Sequence, residues 1–116
     1  MNKIYYLSTC DTCKRIISDL GLKEKGFIFQ DIKTEKITPT QLEEMKNAIG
    51  SYEALFSRIA RKYKELGLGE KSLTESDYKK FILEEYTFLK RPVIFIKNKM
   101  FVGNSKAIIE QAKAEL

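Results

Sequence analysis

Two cysteines separated by two residues are the strongest chemical signal in this sequence. Cys10 and Cys13 enclose Asp11 and Thr12 in a C-x-x-C motif, and the chain has no further cysteine and no histidine. Next to a βαβ pattern, this spacing is typical of thiol–disulfide chemistry. Catalysis by a Ser-His-Asp or Cys-His arrangement is excluded, because there is no imidazole to act as the base.

Metal binding is the main competing interpretation of the two thiols. A zinc site built from Cys and His needs four protein ligands, or three and a water molecule, whereas this chain offers two cysteines. Half of a zinc site, completed by a second subunit, stays open as an alternative. A purely structural role, in which both cysteines pack as small apolar side chains, stays open as well.

The elements around the motif place it at the start of a helix. A β-rich run over Lys3–Leu7 predicts a first strand, and a helix is expected over Asp11–Leu20, ending at Gly21. Backbone N–H groups and the macrodipole at a helix N-terminus lower the pKa of a thiol placed there. Because Cys10 lies nearer the open helix end, we expect it to be the nucleophile and Cys13 to be the resolving thiol.

The rest of the chain predicts an α/β fold with the order β-α-β, several helices, then β-β-α. After a second strand over 27–32, Thr38-Pro39 with Gln41 indicates a capped helix start. A parallel pair and a terminal hairpin give a four-stranded mixed sheet. This is a thioredoxin-like plan with a helical insert over about residues 38–88, and we expect one domain over 1–116. The further expected elements are short helical pieces at 52–56 and 59–66, helices over 75–85 and 105–116, and strands over 93–96 and 100–102.

Two of these helices have predicted apolar faces. The helix that starts at Pro39 should bury Leu42, Met45, Ala48 and Ile49, and end at Gly50. The last helix should place Ala107, Ile108, Gln111 and Ala112 on one side.

Composition and charge are those of an ordinary globular protein. Hydrophobic residues make up 43% and charged residues 32% of the 116 residues. The net charge is +5, but 21 Lys and Arg are interleaved with 16 acids. This pattern favours a solvated surface, with direct DNA binding as a weaker alternative. Apolar runs are shorter than the roughly 18 residues of a membrane span, and the start of the chain is too polar for a signal peptide. We therefore expect a cytoplasmic protein whose thiols are kept reduced. We also expect a monomer, because the sequence has no obvious exposed apolar stripe.

Four motifs are spread over nearly the whole chain. They are Tyr5-Tyr6-Leu7-Ser8-Thr9-Cys10-Asp11-Thr12-Cys13-Lys14, Phe56-Ser57-Arg58, Tyr63-Lys64-Glu65-Leu66-Gly67-Leu68 and Leu89-Lys90-Arg91-Pro92-Val93-Ile94. Together they resemble the ArsC/Spx family, the arsenate reductase-like branch of the thioredoxin fold. The resemblance implies that Arg91 and Arg58 face the reactive Cys10, where a guanidinium would hold an oxyanion or a carboxylate with two hydrogen bonds. It also implies a cis Pro92, and substrate-binding roles for the residues Thr9, Asp11, Thr12 and Pro92.

The implied activity is that of a thiol-dependent reductase, with two departures from the family pattern. Glutathione-dependent arsenate-reducing members carry one cysteine in the first loop and a third arginine after the last strand pair. In this chain the loop holds both Cys10 and Cys13. Gly103-Asn104 occupies the position after the last strand pair where those members carry the third arginine. The expected substrate is a small oxyanion or a disulfide. No bound cofactor or metal is expected, and the external reductant would be glutathione or a partner of thioredoxin or glutaredoxin type.

The Spx branch of the family implies an alternative function. Its members use the C-x-x-C pair as a redox switch and regulate transcription by binding RNA polymerase. Gly50 matches the position that this contact uses, and the α-subunit would be the partner. Gly50 is also an ordinary helix stop, so both interpretations stay open.

Overall fold

The computed structural model describes residues 2–116, which form four β-strands and five α-helices joined by loops and short 3-10 turns. These elements belong to two compact units. The described part of residues 1–36 forms the first unit together with Arg91–Leu116, and Ile37–Lys90 forms the second. In chain order the elements are β1 (Lys3–Tyr6), α1 (Asp11–Leu20), β2 (Ile28–Asp31), α2 (Pro39–Ile49), α3 (Arg61–Glu65), α4 (Glu75–Glu84), β3 (Val93–Ile96), β4 (Lys99–Val102) and α5 (Lys106–Ala114).

The first unit contains a mixed sheet with the strand order β2-β1-β3-β4. β1 is parallel to β2 and antiparallel to β3, and β3 is antiparallel to β4. A parallel pair needs a crossover connection, which α1 supplies, whereas β3 and β4 are joined by a short turn. The predicted fold class, α/β with a four-stranded mixed sheet, is confirmed.

The core of the first unit forms where α1 and α5 pack against alternate residues of the strands. Side chains two apart in a strand share a face, so Ile94 and Ile96 of β3 lie together in this core. α1 contributes Ile16, Ile17 and Leu20 at helical spacing, as the sequence predicted. Burying each such side chain stabilises the fold by about 1.5–3 kcal/mol.

α1 has the bounds that the sequence predicted, and Gly21 ends it. Gly21 adopts a left-handed backbone (φ 63°), and its N–H donates to two carbonyl groups near the end of the helix, those of Ile17 and Ser18. A side chain at this φ is disfavoured, which is why glycine is common at this position. The helix that begins at the cysteine pair therefore has a defined C-terminal end at Gly21.

The second unit is helical, and its two longer helices begin at capping boxes. At α2, Gln41 N–H donates to Thr38 Oγ1 and Thr38 N–H donates to Gln41 Oε1, both at 3.1 Å, with Pro39 as the first helical residue. At α4, Asp77 N–H donates to Thr74 Oγ1 (3.2 Å) and Thr74 N–H donates to Asp77 Oδ2 (2.8 Å). These reciprocal bonds satisfy N–H groups that a helix start leaves open. Both predicted helix starts are confirmed.

The predicted apolar face of α2 is partly wrong. Leu42 and Met45 are buried, but Ala48 and Ile49 are exposed. Both exposed residues lie in the last turn of α2, next to the exposed Gly50. The packed part of α2 therefore ends one turn before the helix does.

The predicted face of α5 is also partly wrong. α5 begins at Lys106, with the Ser105 side chain accepting from the N–H of Ile108 (3.2 Å). The expected Ala107 and Gln111 are exposed. Its inward face consists instead of Ile108, Ile109 and Ala112. Residues separated by one or four positions share a side of a helix, so Ile108, Ile109 and Ala112 form one face. This face includes the strongly apolar Ile109, which the predicted face left out.

Candidate active site

Cys10 lies at the N-cap of α1, at the end of a tight turn that follows β1. Its backbone N–H donates to the carbonyl oxygen of Leu7 (3.0 Å), and its own carbonyl oxygen accepts from the N–H of Lys14 (3.1 Å). With φ −97° and ψ 112°, Cys10 has the extended backbone that N-cap residues usually adopt. The turn therefore brings the Cys10 side chain to the end of the helix where backbone N–H groups are open.

The surroundings of Cys10 favour its thiolate. Partial burial raises the pKa of this thiol, but hydrogen bonds from the backbone and thiol of Cys13 outweigh that effect. The charge of Arg91 and the backbone N–H of Thr12 act in the same direction. The net result is a pKa of Cys10 below its ordinary value of 9.0, so the nucleophilic form is enriched at neutral pH.

Cys13 has the opposite environment. Its side chain is 0% exposed, and this burial raises the pKa of the thiol to about 11, although the Leu7 N–H acts against it. Proximity to Cys10 raises the pKa of Cys13 further, because two thiolates side by side repel each other. Both thiols are free. The pair thus joins one accessible, readily ionised thiol to one that is buried and protonated.

Arg91 and Pro92 lie immediately before β3 and complete this part of the first unit. The Arg91–Pro92 peptide bond is cis, as the family resemblance implied. Pro92 is buried, and its carbonyl oxygen accepts from the N–H of Gly103 (2.9 Å). The half-buried Arg91 lowers the pKa of both Cys10 and Cys13 through its charge. A segment from the end of the chain is therefore brought to a loop near its start.

The three loop residues with predicted substrate-binding roles differ in accessibility. Thr9 and Asp11 are exposed, one on each side of Cys10 in the chain. Thr12 is half-buried, and its backbone N–H contributes to the lowered pKa of Cys10. Their contact with a substrate stays a prediction.

Arg58 belongs to the second unit, where its guanidinium has defined partners. Nη2 lies 2.8 Å from Oε2 of Glu53 and 3.0 Å from the hydroxyl oxygen of Tyr78. The Arg58 side chain is 45% exposed. These bonds hold the guanidinium within its own unit, and the predicted role of Arg58 toward Cys10 stays a prediction.

The sequence analysis did not single out Asp31, the last residue of β2. Its Oδ1 accepts from the backbone N–H of Ser8 (3.3 Å) and from that of Lys33 (3.2 Å). Slight burial raises the pKa of Asp31, but the bonds from Ser8 and Lys33 outweigh it and lower the pKa overall. The sequence signal for this contact is an acidic residue at the end of a strand that pairs with β1.

A cavity of about 500 Å³ lies along the flank of α1 within the first unit. Tyr6 and Phe29, whose rings meet edge to face at 5.7 Å, give it an aromatic wall. Lys14 and Ser8, which line it too, are close to Cys10 in the chain. The complete lining is Tyr6, Ser8, Lys14, Ile17, Ser18, Lys23, Glu24 and Phe29.

Residues 2–116 contain no group of three or more His, Cys, Asp or Glu side chains positioned to hold a metal ion. Within the same range, no helix combines the length and the apolar character needed to cross a membrane.

The comparisons with known proteins agree with this architecture. Among solved structures, the chain is similar to a protein named YFFB, with 21% identity, a TM-score of 0.84, and coverage of 100% of this chain and 99% of the other. It is similar to an arsenate reductase from Vibrio cholerae, with 17% identity, a TM-score of 0.79, and coverage of 99% and 97%. It is also similar to an arsenate reductase (ArsC) related protein from Brucella melitensis, with 24% identity, a TM-score of 0.73, and coverage of 95% and 92%.

At these identities the structural similarities establish the fold. No curated protein matches the chain. The family model described as "ArsC family" matches residues 5–112, which include the cysteine pair, Arg58 and the cis Pro92. The chain therefore belongs to the ArsC family.

Proposed function

We propose that this protein is a thiol-dependent reductase in which Cys10 is the nucleophile and Cys13 the resolving thiol. The observation that carries the proposal is the contrast between the two thiols. A half-exposed Cys10 at the open end of α1 has a lowered pKa, and a fully buried Cys13 lies one helical turn away. Membership of the ArsC family and structural similarity to arsenate reductases support the same class of reaction.

With a disulfide substrate, the proposed reaction has two steps. The Cys10 thiolate attacks one sulfur of the substrate, the substrate S–S bond breaks, and the first product leaves as a thiolate that takes up a proton. Cys13 then loses its proton and attacks the Cys10 sulfur, which releases the second product thiol and forms the Cys10–Cys13 disulfide. Two external thiol groups then reduce the Cys10–Cys13 disulfide and become a disulfide themselves, which restores both thiols. Because Cys13 is buried and protonated at the outset, the first attack falls to Cys10.

With arsenate, the same pair would form an arsenic–sulfur bond. The Cys10 thiolate displaces one arsenate oxygen as water, which requires protonation of that oxygen. Attack of Cys13 on the Cys10 sulfur then leaves the electron pair on arsenic, so arsenite is released as the disulfide forms. Arg91 would stabilise the charge of the oxyanion with two parallel hydrogen bonds, and we assign the same task to Arg58.

The other predicted partners of the site belong to this proposal. We assign substrate contacts to Thr9, Asp11, Thr12 and the backbone around Pro92. The reductant would be glutathione or a thioredoxin- or glutaredoxin-like protein, with no cofactor bound to the chain. We place the protein in the cytoplasm as a monomer, without membrane or direct nucleic-acid partners.

Steady-state turnover tests the proposal. The reduced protein is given arsenate or hydroxyethyl disulfide, with glutathione, glutathione reductase and NADPH to report each two-electron cycle. We expect the wild type to oxidise NADPH with at least one substrate and Cys10→Ser to be inactive. Cys13→Ser should accumulate a mixed disulfide or an arsenic adduct on Cys10, visible as a mass increase. Activity in Cys10→Ser, or no thiol-dependent turnover in the wild type with any substrate or thiol donor, would contradict the proposal.

An Spx-type regulator is the second candidate function. Gly50 favours it, since this residue is exposed at the end of α2 and no atom of another part of the chain lies within 4 Å of the place that a Cβ would occupy. A partner surface could then approach the backbone closely. Pull-down of the RNA polymerase α-subunit with the reduced and the oxidised protein tests this candidate, with Gly50→Arg as the control. Equal binding, or none, in both redox states would contradict it.

A further inference from the structure

Asp31 connects the edge of the sheet to the loop that carries Cys10. In the register of the parallel pair, Asp31 is opposite Tyr6, the last residue of β1. The loop Leu7-Ser8-Thr9 follows and leads directly to Cys10. Oδ1 of Asp31 accepts from the N–H of Ser8 at 3.3 Å, across 23 residues of sequence. Asp31 thus contacts the middle of the turn that positions the proposed nucleophile.

Two hydrogen bonds at the turn have separate origins. The N–H of Cys10 is bonded to Leu7 O within the turn itself (3.0 Å). The N–H of Ser8 is instead bonded by the carboxylate of another strand. The second bond of the same carboxylate oxygen, from Lys33 N–H (3.2 Å), orients the Asp31 side chain. One acceptor oxygen of Asp31 therefore joins the backbone of the loop before Cys10 to the backbone that follows β2.

Position 31, at the end of β2, carries a residue type that is unusual in a strand. Aspartate is depleted in β-strands, because a short charged side chain packs poorly on a pleated surface. β2 is an edge strand, and Asp31 is its last residue, where the neighbouring backbone continues into a turn. The strand itself already bonds to β1 here, since Ile32 N–H donates to Tyr6 O at 2.9 Å. The carboxylate therefore adds a contact to the cysteine loop that strand pairing does not provide.

We propose that Asp31 is a positioning residue, which holds the Ser8 turn so that the Cys10 sulfur stays against the backbone N–H groups at the start of α1. The proposal rests on the proposed function only in that it takes Cys10 as the nucleophile. The groups that lower the pKa of Cys10 are Cys13, Thr12 and Arg91, and Asp31 is not one of them. Asp31 acts through the loop and touches none of the reacting atoms. Its effect should therefore depend on its acceptor oxygen and little on its charge.

Alkylation of Cys10 as a function of pH tests this role without a substrate. Iodoacetamide labelling is followed by mass spectrometry in the wild type, Asp31→Ala and Asp31→Asn. In Asp31→Ala we expect the midpoint of the profile to rise by roughly half to one pKa unit, which is a decrease of about three- to tenfold in the ionisation constant of Cys10. Asp31→Asn keeps an acceptor oxygen and should stay within about twofold of the wild type. Asp19→Ala, which removes an exposed acid from α1, is the matched control.

A purely structural role for Asp31 gives a different result. If Asp31 only stabilises the fold, Asp31→Ala will have a lower melting temperature but an unchanged midpoint of Cys10 alkylation. That outcome would overturn the proposal. If Asp31→Ala does not fold, amide hydrogen exchange of the wild type decides: Ser8 N–H should be protected, and unprotected exchange would refute the inference. The two proposals can fail separately. If the reductase proposal is wrong, the wild type shows no turnover, while the pH profile of Cys10 alkylation still responds to Asp31→Ala as expected.

Discussion

The unequal reactivity of the two cysteines is the sharpest consequence of the site. We expect iodoacetamide at pH 7 to label Cys10 in the native wild-type protein well before Cys13. With its pKa raised from 9.0 to about 11, Cys13 is a thiolate in about one molecule in ten thousand at pH 7, against about one in a hundred for an ordinary thiol. The higher pKa makes each thiolate more nucleophilic by about six- to tenfold, for a Brønsted slope of about 0.4–0.5. Together, the smaller thiolate fraction and the higher nucleophilicity slow Cys13 by about ten- to sixteenfold relative to an ordinary thiol.

Burial slows Cys13 further, because its side chain is 0% exposed and the reagent must wait for the structure to open. Cys10 is half-exposed and has a lowered pKa, so its thiolate is more abundant than that of an ordinary thiol. We therefore expect a ratio of initial labelling rates that exceeds tenfold by a clear margin. The inequality should disappear in denaturant, where both thiols take ordinary pKa values.

Tryptic peptides provide the assay. Cleavage after Lys3 and Lys14 yields one peptide, 4–14, that contains both cysteines. Fragment ions that break the peptide between Cys10 and Cys13 assign the label to one or the other. Equal native labelling rates would refute the reasoning, as would a midpoint for Cys10 at or above 9.0. Either result would mean that the open end of α1 does not select the nucleophile.

Further predictions concern charge, caps and pH. Arg91→Gln should raise the midpoint of Cys10 alkylation, because a positive charge that lowers the pKa is lost, while Arg91→Lys should restore part of the shift; an unchanged midpoint in both variants would count against an electrostatic role. Gly21→Ala should destabilise the fold by about 1 kcal/mol, measured by urea denaturation, because alanine is strained at φ 63°. Thr38→Ala and Thr74→Ala should each cost about 0.5–2 kcal/mol in the same assay, and no loss in either would mean that the capping boxes contribute little. Because the pKa of Cys13 is raised from 9.0 to about 11 in the fold, its contribution to the free energy of unfolding is complete below pH 9 and falls as pH rises through 11, by about 2 kcal/mol at pH 11. Cys13→Ala should not show this loss when the two proteins are compared by urea denaturation between pH 8 and pH 11.

The local parts of this structure could be predicted from the sequence. Capping residues, glycine stops and the C-x-x-C spacing act over a few residues, so the bounds of α1 and the starts of α2 and α4 follow from patterns such as Thr38-Pro39 with Gln41. The family resemblance supplied what local patterns do not contain, namely the cis Pro92.

Contacts that depend on register could not be predicted. The bond from Ser8 to Asp31 exists because β1 and β2 pair in one alignment, and a shift by one residue would turn each side chain to the opposite face. The prediction of the apolar face of α5 was partly wrong for a related reason. A helix with Ala107, Ile108, Ile109 and Ala112 offers several overlapping stripes, and packing against the sheet decides which is buried.

The strand order of the first unit also has a consequence for the ribosome-bound chain. β1 lies between β2 and β3, and its pairing with β3 joins residues from opposite ends of the sequence. During synthesis, β1, α1 and β2 emerge first, and the helical unit Ile37–Lys90 follows before Arg91, β3 and β4 leave the exit tunnel. Such long-range pairing completes late in folding. We therefore expect β1 to keep one edge unpaired, and the Cys10 loop to lack Arg91, until residues 91–96 have left the exit tunnel.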